Sequence, residues 1–235
     1  MNTLRLGGAH IVSGFDEDIA TLFGQFDEMR TVASRMLGDA MTALCTKDEV
    51  LADEVVKRDR TVDELQVQLE SGVVRVLARR SPVAEDLRTI ITLIKAASIL
   101  ERIGDHAKNI AKRVRSIDIE GLTGEIAHVE RMATIARKQI ELGVRALMER
   151  DAAIADEVDA LDDELDDAFD DLTAMMVRRM SEESMDAYAS THILFIGKQI
   201  ERSGDHGVNI ARAARYIATG EHPRDQVDKR TLVDA

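Results

Sequence analysis

The chain is predicted to be all-α, with six long helices arranged as two tandem, pseudo-symmetric three-helix bundles. Apolar residues recur at spacings of three and four through most of the sequence, as they do on the buried face of a helix. A polar segment also occurs twice. Glu101-Arg-Ile-Gly-Asp105-His106-Ala-Lys-Asn109-Ile-Ala-Lys returns 100 residues later as Glu201-Arg-Ser-Gly-Asp205-His206-Gly-Val-Asn209-Ile-Ala-Arg. Eight of the twelve positions are identical. Composition agrees: only two Pro and 3% aromatic residues, with abundant Ala, Leu, Met, Glu, Arg and Asp, favour helix over strand.

The elements follow in order. Gly7, Gly8 and Gly14 disfavour helix, so residues 1–14 read as an N-terminal arm. From Asp16 onward Ile19, Leu22, Phe23, Phe26, Met29, Ala33, Met36, Leu37, Ala40 and Leu44 trace the first helix. Thr46-Lys-Asp-Glu49 reads as a capping box that starts the second. Val55, Val62, Leu69 and Val76 then follow at a seven-residue spacing. Ser81-Pro82 reads as the N-cap and first turn of the third helix, which carries Ile90, Ile94, Ile103 and Ile110. Gly121 and Gly124 close the first bundle, residues 15–120. The second bundle, 121–219, repeats the plan. Ile126 to Leu147 outline helix four, Arg150-Asp151 marks a break, and Val158 to Met176 outline helix five. Ser181-Glu-Glu reads as the start of helix six, and Gly220 and Pro223 end it, leaving 220–235 as a polar tail. Helices of about 30 residues are about 45 Å long.

Composition also excludes some functions. A net charge of −13 repels nucleic acid, and no basic stripe interleaved with aromatics offsets it. A single cysteine, Cys45, allows no intramolecular disulfide and fits a reducing compartment. There is no apolar run of transmembrane length and no signal-peptide pattern at the start, so a soluble, cytoplasmic protein is expected.

The polar residues that a helical core does not explain are the candidate site. Glu101 and Asp105, four apart, share a helix face, as do Glu201 and Asp205. The preceding helices carry matching pairs, Asp59/Asp63 and Asp162/Asp166, aligned by an Ala-Asp-Glu-Val at 52–55 and 155–158. If the pairs of consecutive helices face each other, each bundle presents four carboxylates in one patch. Oxygen-rich patches suit Mg²⁺, Mn²⁺, Ca²⁺ or iron. The alternative is a solvated acidic face, salt-bridged by Arg102, Lys108, Arg202 and Arg212. Lys57, Arg58 and Arg60 read as internal counter-charges for the first patch, whereas no basic residue lies between Arg150 and Arg178, so the second is expected to bind a cation more tightly. His106 and His206 read as surface histidines, and Gly104 and Gly204 as relief for helix packing.

Pro82-x-Ala84-x-Asp86-Leu87-Arg88, followed by Leu100-Glu101-Arg102-Ile103-Gly104-Asp105-His106, resembles the first-half signature of the PhoU family of phosphate-transport regulators. Gln199-Ile-Glu201-Arg202-Ser-Gly204-Asp205-His206-x-x-Asn209-Ile210 resembles the second. The likeness spans Phe15 to Ala218, with two departures: Ser203 stands where Ile103 is apolar, and the second half lacks the Pro-x-Ala-x-Asp-Leu-Arg lead-in. The resemblance implies a non-catalytic cytoplasmic adaptor that represses the phosphate-starvation response. It implies contacts with the ATPase subunit of the phosphate ABC transporter and with a phosphate-sensing histidine kinase, self-association as a homodimer, no nucleic acid, and the membrane only through partners. It places metal ligands at Asp59, Asp63, Glu101, Asp105, Asp162, Asp166, Glu201 and Asp205, for Fe, Mn, Mg or Zn. Two other readings stay open. One is a dinuclear oxidase or hydrolase, for which the chain offers one Glu-x-x-His, Glu125 to His128. The other is a purely structural helical module.

Overall fold

The computed structural model of the protein describes residues 13–182 and 187–219. Six helices run in order: α1 (Ser13–Thr46), α2 (Glu49–Arg80), α3 (Ala84–Ala111), α4 (Thr123–Glu149), α5 (Ala152–Ser181) and α6 (Ala187–Thr219), with a 3-10 turn at Val114–Ser116. There is no strand among the described residues, nor a helix long and apolar enough to cross a membrane. The tail from 220 and the arm up to residue 12 lie outside the described residues. The rest of the expected arm, residues 13 and 14, already belongs to α1.

Three expected boundaries shift by local chemistry. Thr46 does not cap α2: its hydroxyl donates to the Thr42 carbonyl at 2.7 Å, still inside α1. Asp48 caps it instead, with one carboxylate oxygen accepting from the Val50 and Leu51 amides at 3.0 Å each, a device worth about 1 kcal/mol. Ser81 ends α2 rather than starting α3. Its φ of 47° is left-handed and its amide bonds the Leu77 carbonyl, so α3 begins only at Ala84, past Pro82. Ser181 is likewise the last residue of α5, its hydroxyl donating to the Val177 carbonyl at 2.8 Å, and not the start of α6. Arg150 adopts φ 55° to close α4, and Asp151 caps α5 by accepting from the Ala153 amide.

Helices α1, α2 and α3 pack on one another, as do α4, α5 and α6. The halves are also joined side by side, α3 against α6 and α1 against α4. The buried apolar residues therefore form one continuous cluster, from Phe26, Met29 and Leu37 in α1 to Ile196, Ile200 and Ile210 in α6. Inside the second bundle α4 and α6 meet backbone to backbone. A Cβ on Gly207 would press on the main chain of Gln139 and Ile140 at 2.7–2.8 Å, and one on Gly143 would collide with the Gly207 carbonyl. This approach brings Gln139 of α4 beside the repeated segment of α6.

Candidate functional site

In the first bundle the two acidic pairs face each other across the α2–α3 contact. The Lys108 ammonium bridges them, bonding Asp59 Oδ2 at 2.6 Å and Asp105 Oδ1 in a shorter contact. Burial pushes Lys108 down, but its bonds to Asp105 and Asp59 outweigh that, so it is held above the ordinary lysine range. The Glu101 carboxyl is raised by burial and by repulsion from Asp105, Asp63 and Asp59. Asp63 is raised by burial and by Asp59. The counter-charge is thus Lys108 of α3 and not the α2 residues expected for it. Arg58 instead pairs with Asp39 of α1 at 2.5 Å, and Arg60 with Glu64 at 2.9 Å.

The second cluster, between α5 and α6, is arranged differently. Val208, fully buried, occupies the position of Lys108. Burial and the neighbouring Glu201, Asp162 and Asp166 push the Asp205 carboxyl up to about 6. Asp162 and Asp166 are also raised, first by burial and then by Asp166 and Glu201 respectively. Lys198 reaches one oxygen of Glu201 at 2.5 Å from a position 45% exposed, while the other oxygen, Oε2, is buried without a hydrogen-bond partner. Gln139, fully buried on α4, donates its amide to Asp162 Oδ1 at 3.2 Å. Three other members of the α5 acidic run are paired from neighbouring helices: Arg215 bonds Asp156 and Asp159, and Arg131 bonds Glu164 at 3.0 Å.

The carboxylates face one another but stay apart. Among the described residues no three His, Cys, Asp or Glu side chains form a ready-made metal cage. The second cluster nonetheless suits a hard cation in its donor chemistry: four carboxylates, a buried unpartnered Glu201 oxygen and one rim lysine. The first suits it poorly, because an ammonium already lies between the two helices.

The two histidines are not surface residues. His106 and His206 stack on each other where α3 meets α6, with centroids 5.2 Å apart and rings 9° from parallel. Burial and nearby cationic groups hold both at about 4: His206 and Arg202 act on His106, and Arg102 and Arg202 on His206. Ser203, the departure from the apolar pattern, accounts for half of this arrangement. Its hydroxyl donates to the Gln199 carbonyl at 2.8 Å, so His106 Nδ1–H donates to the Ser203 oxygen at 3.1 Å. The matching residue Ile103 has no hydroxyl, and His206 Nδ1 has no partner among the described residues. Glu125 and His128 are engaged elsewhere: Glu125 pairs with Arg179 at 3.0 Å, and His128 Nε2 bonds the Ala168 carbonyl at 2.7 Å. They do not assemble a dinuclear centre with the carboxylate clusters.

The PhoU domain model matches residues 26–114 and again 129–214, once on each half. The chain belongs to the PhoU family. A PhoU homolog of Rhizobium meliloti (strain 1021), described as a phosphate-specific transport system accessory protein, is 35% identical over 222 residues, covering 94% of each chain. The crystal structure of PhoU from Pseudomonas aeruginosa superimposes with a TM-score of 0.83 at 28% identity, over 88% of this chain and 100% of that one. That of the phosphate transport system regulatory protein PhoU from Streptococcus pneumoniae gives 0.81 at 26%, over 88% and 98%. The two matched PhoU segments contain all eight candidate carboxylates. Lys108 and Gln139 lie in them too; the sequence reading did not single out Gln139, whereas Lys108 is one of the basic residues it offered for a salt-bridged face. The signal for Lys108 was present, since it is one of the four positions at which the repeated segments differ.

Proposed function

We propose that the chain is a non-catalytic accessory protein of phosphate uptake. It works in the cytoplasm as a negative regulator of the phosphate-starvation response. Its partners are the ATPase subunit of a phosphate ABC transporter and a phosphate-sensing histidine kinase. It binds no nucleic acid, reaches the membrane only through those partners, and acts as a homodimer. The observation that carries this reading is the end-to-end likeness to proteins described as phosphate transport accessory and regulatory proteins. The acidic surface, with a net charge of −13, supports protein contacts over nucleic-acid contacts.

A divalent or iron-type metal ion belongs to the same reading. Asp162, Asp166, Glu201 and Asp205 would hold it, and its charge would join α5 to α6 where bare carboxylates repel. The chain's own residues join the two bundles where α3 meets α6, through the His106–His206 stack and the Ser203 bond.

The test is complementation of a bacterial strain lacking its own PhoU protein, read by a phosphate-starvation reporter in high phosphate. Expression of this chain should restore repression, and the ATPase subunit should co-purify with it. An unrepressed reporter together with no ATPase subunit recovered would overturn the reading.

A further inference from the structure

We propose that Lys108 is a built-in cation that keeps the first cluster closed to metal, whereas the second cluster takes a single hard divalent cation, with the Gln139 amide oxygen added to its carboxylates. This rests on the reading that the carboxylate clusters hold metal, and assigns the role to one of the two.

Lys108 sits between α2 and α3, only 21% exposed, on one carboxylate from each helix. A divalent ion at those carboxylates would lie within a few ångströms of the ammonium and would have to displace it against direct repulsion. Val208 takes that position in α6 and brings no charge. Lys198 does not replace it. From the rim it holds one oxygen of Glu201 and makes no ion pair with Asp162, Asp166 or Asp205 among the described residues.

Gln139 is the independent sign that the second cluster accepts a ligand. Its side chain is wholly buried with its amide head at Asp162, and its Oε1 has no hydrogen-bond partner. A buried amide oxygen without a partner is costly unless something electropositive meets it. That oxygen lies against Gly204 of α6 while Nε2 faces Asp162; a half turn of the terminal amide, releasing the bond to Asp162, would exchange the two and bring the oxygen to a cation held there. The matching residue in α1 is Met36, also wholly buried and with no comparable oxygen. The first bundle therefore has a lysine and a methionine where the second has a valine and a glutamine.

The experiment is titration of the full chain with MnCl₂ after chelator treatment, read by calorimetry and by the loss of the free Mn²⁺ electron-resonance signal. The expected stoichiometry is one Mn²⁺ per chain. Lys108→Val should raise it to two, Val208→Lys should weaken the remaining site at least 100-fold, and Gln139→Met should weaken it about 10-fold. Melting curves check that each variant folds, and Lys108→Gln replaces Lys108→Val if the latter shows no transition. Two ions bound by the unaltered chain, or one still bound after Lys108 is neutralised, overturns the proposal while leaving metal binding standing. Unchanged affinity in Gln139→Met overturns the role of the amide. No binding by any of these proteins overturns metal binding itself.

Discussion

Gly104 and Gly204 occupy matching positions in the repeat but have different surroundings. A Cβ on Gly104 would meet only Val62, at 3.5–3.7 Å, an ordinary contact. On Gly204 it would overlap Gln139 Oε1 and Leu165 Cδ2. Gly104→Ala should therefore stabilise the protein by up to about 1 kcal/mol through helix propensity. Gly204→Ala should destabilise it by about 1–3 kcal/mol through overpacking. Paired urea titrations check both, and equal effects would contradict the geometry. Asp205 yields a second prediction. Its carboxyl ordinarily titrates at 3.8 and is raised to about 6, so the folded state binds the extra proton between those values. Stability is thus lost as pH rises through about 6, and the repulsion is fully present at pH 7. Asp205→Asn in chelator at pH 7 should be more stable on the order of 1 kcal/mol, discounted for partial solvent screening. That is roughly 2–4 °C in a melting scan, and the gain should vanish near pH 4. The glycines were visible in the sequence as a repeated pair; their unequal surroundings were not, because they depend on Val62 and Leu165 from other helices.

At the scale of elements, the helices were legible and their ends less so. Spacings of three and four place α1 to α6 because the apolar stripe follows from helical periodicity within each segment. The caps depended on single competitions that the sequence leaves open. Thr46 bonds backward into α1 and cedes the cap to Asp48, while Ser81 takes a left-handed φ that ends α2. The antiparallel run of consecutive helices was also legible, since their loops are short, but whether the acidic pairs face each other stayed a condition that the helix contacts meet. What the α2 sequence could not reveal is that Arg58 turns to Asp39 on α1 and leaves neutralisation to Lys108 on α3. The four differences between the repeated segments turn out to matter unequally. Ser203 holds His106, Gly207 lets α4 approach α6, and Val208 leaves the second cluster without an internal ammonium. Lys112/Arg212 is the exception: it exchanges one basic residue for another.

Across the whole molecule, the joint between the bundles is where pH should act. His106 and His206 ordinarily titrate near 6.5 and are held at about 4 by burial and by Arg102 and Arg202, with His206 also lowering His106 and Asp105 opposing on it. Folding keeps them neutral, so their contribution to stability is complete above about 6.5 and is lost as pH falls toward 4. The raised carboxylates act with the opposite sign, so the histidine share is read by difference. His106→Phe with His206→Phe keeps the stack and removes the protons. Between pH 6.5 and 4 the unaltered chain should lose more stability than this variant, by on the order of 2 kcal/mol after discounting for screening. Parallel slopes in the two proteins would show that the pair does not titrate on unfolding. By itself the sequence determined the helical class, the duplication and the placement of eight carboxylates as pairs four apart on consecutive helices, because each follows from spacing along one chain. Only the tertiary structure decided that the bundles share a core, that the histidines stack between them, and that one cluster holds an ammonium while the other has a buried amide. Those outcomes depend on distances between helices, and a repeat that conserves residues does not conserve their neighbours.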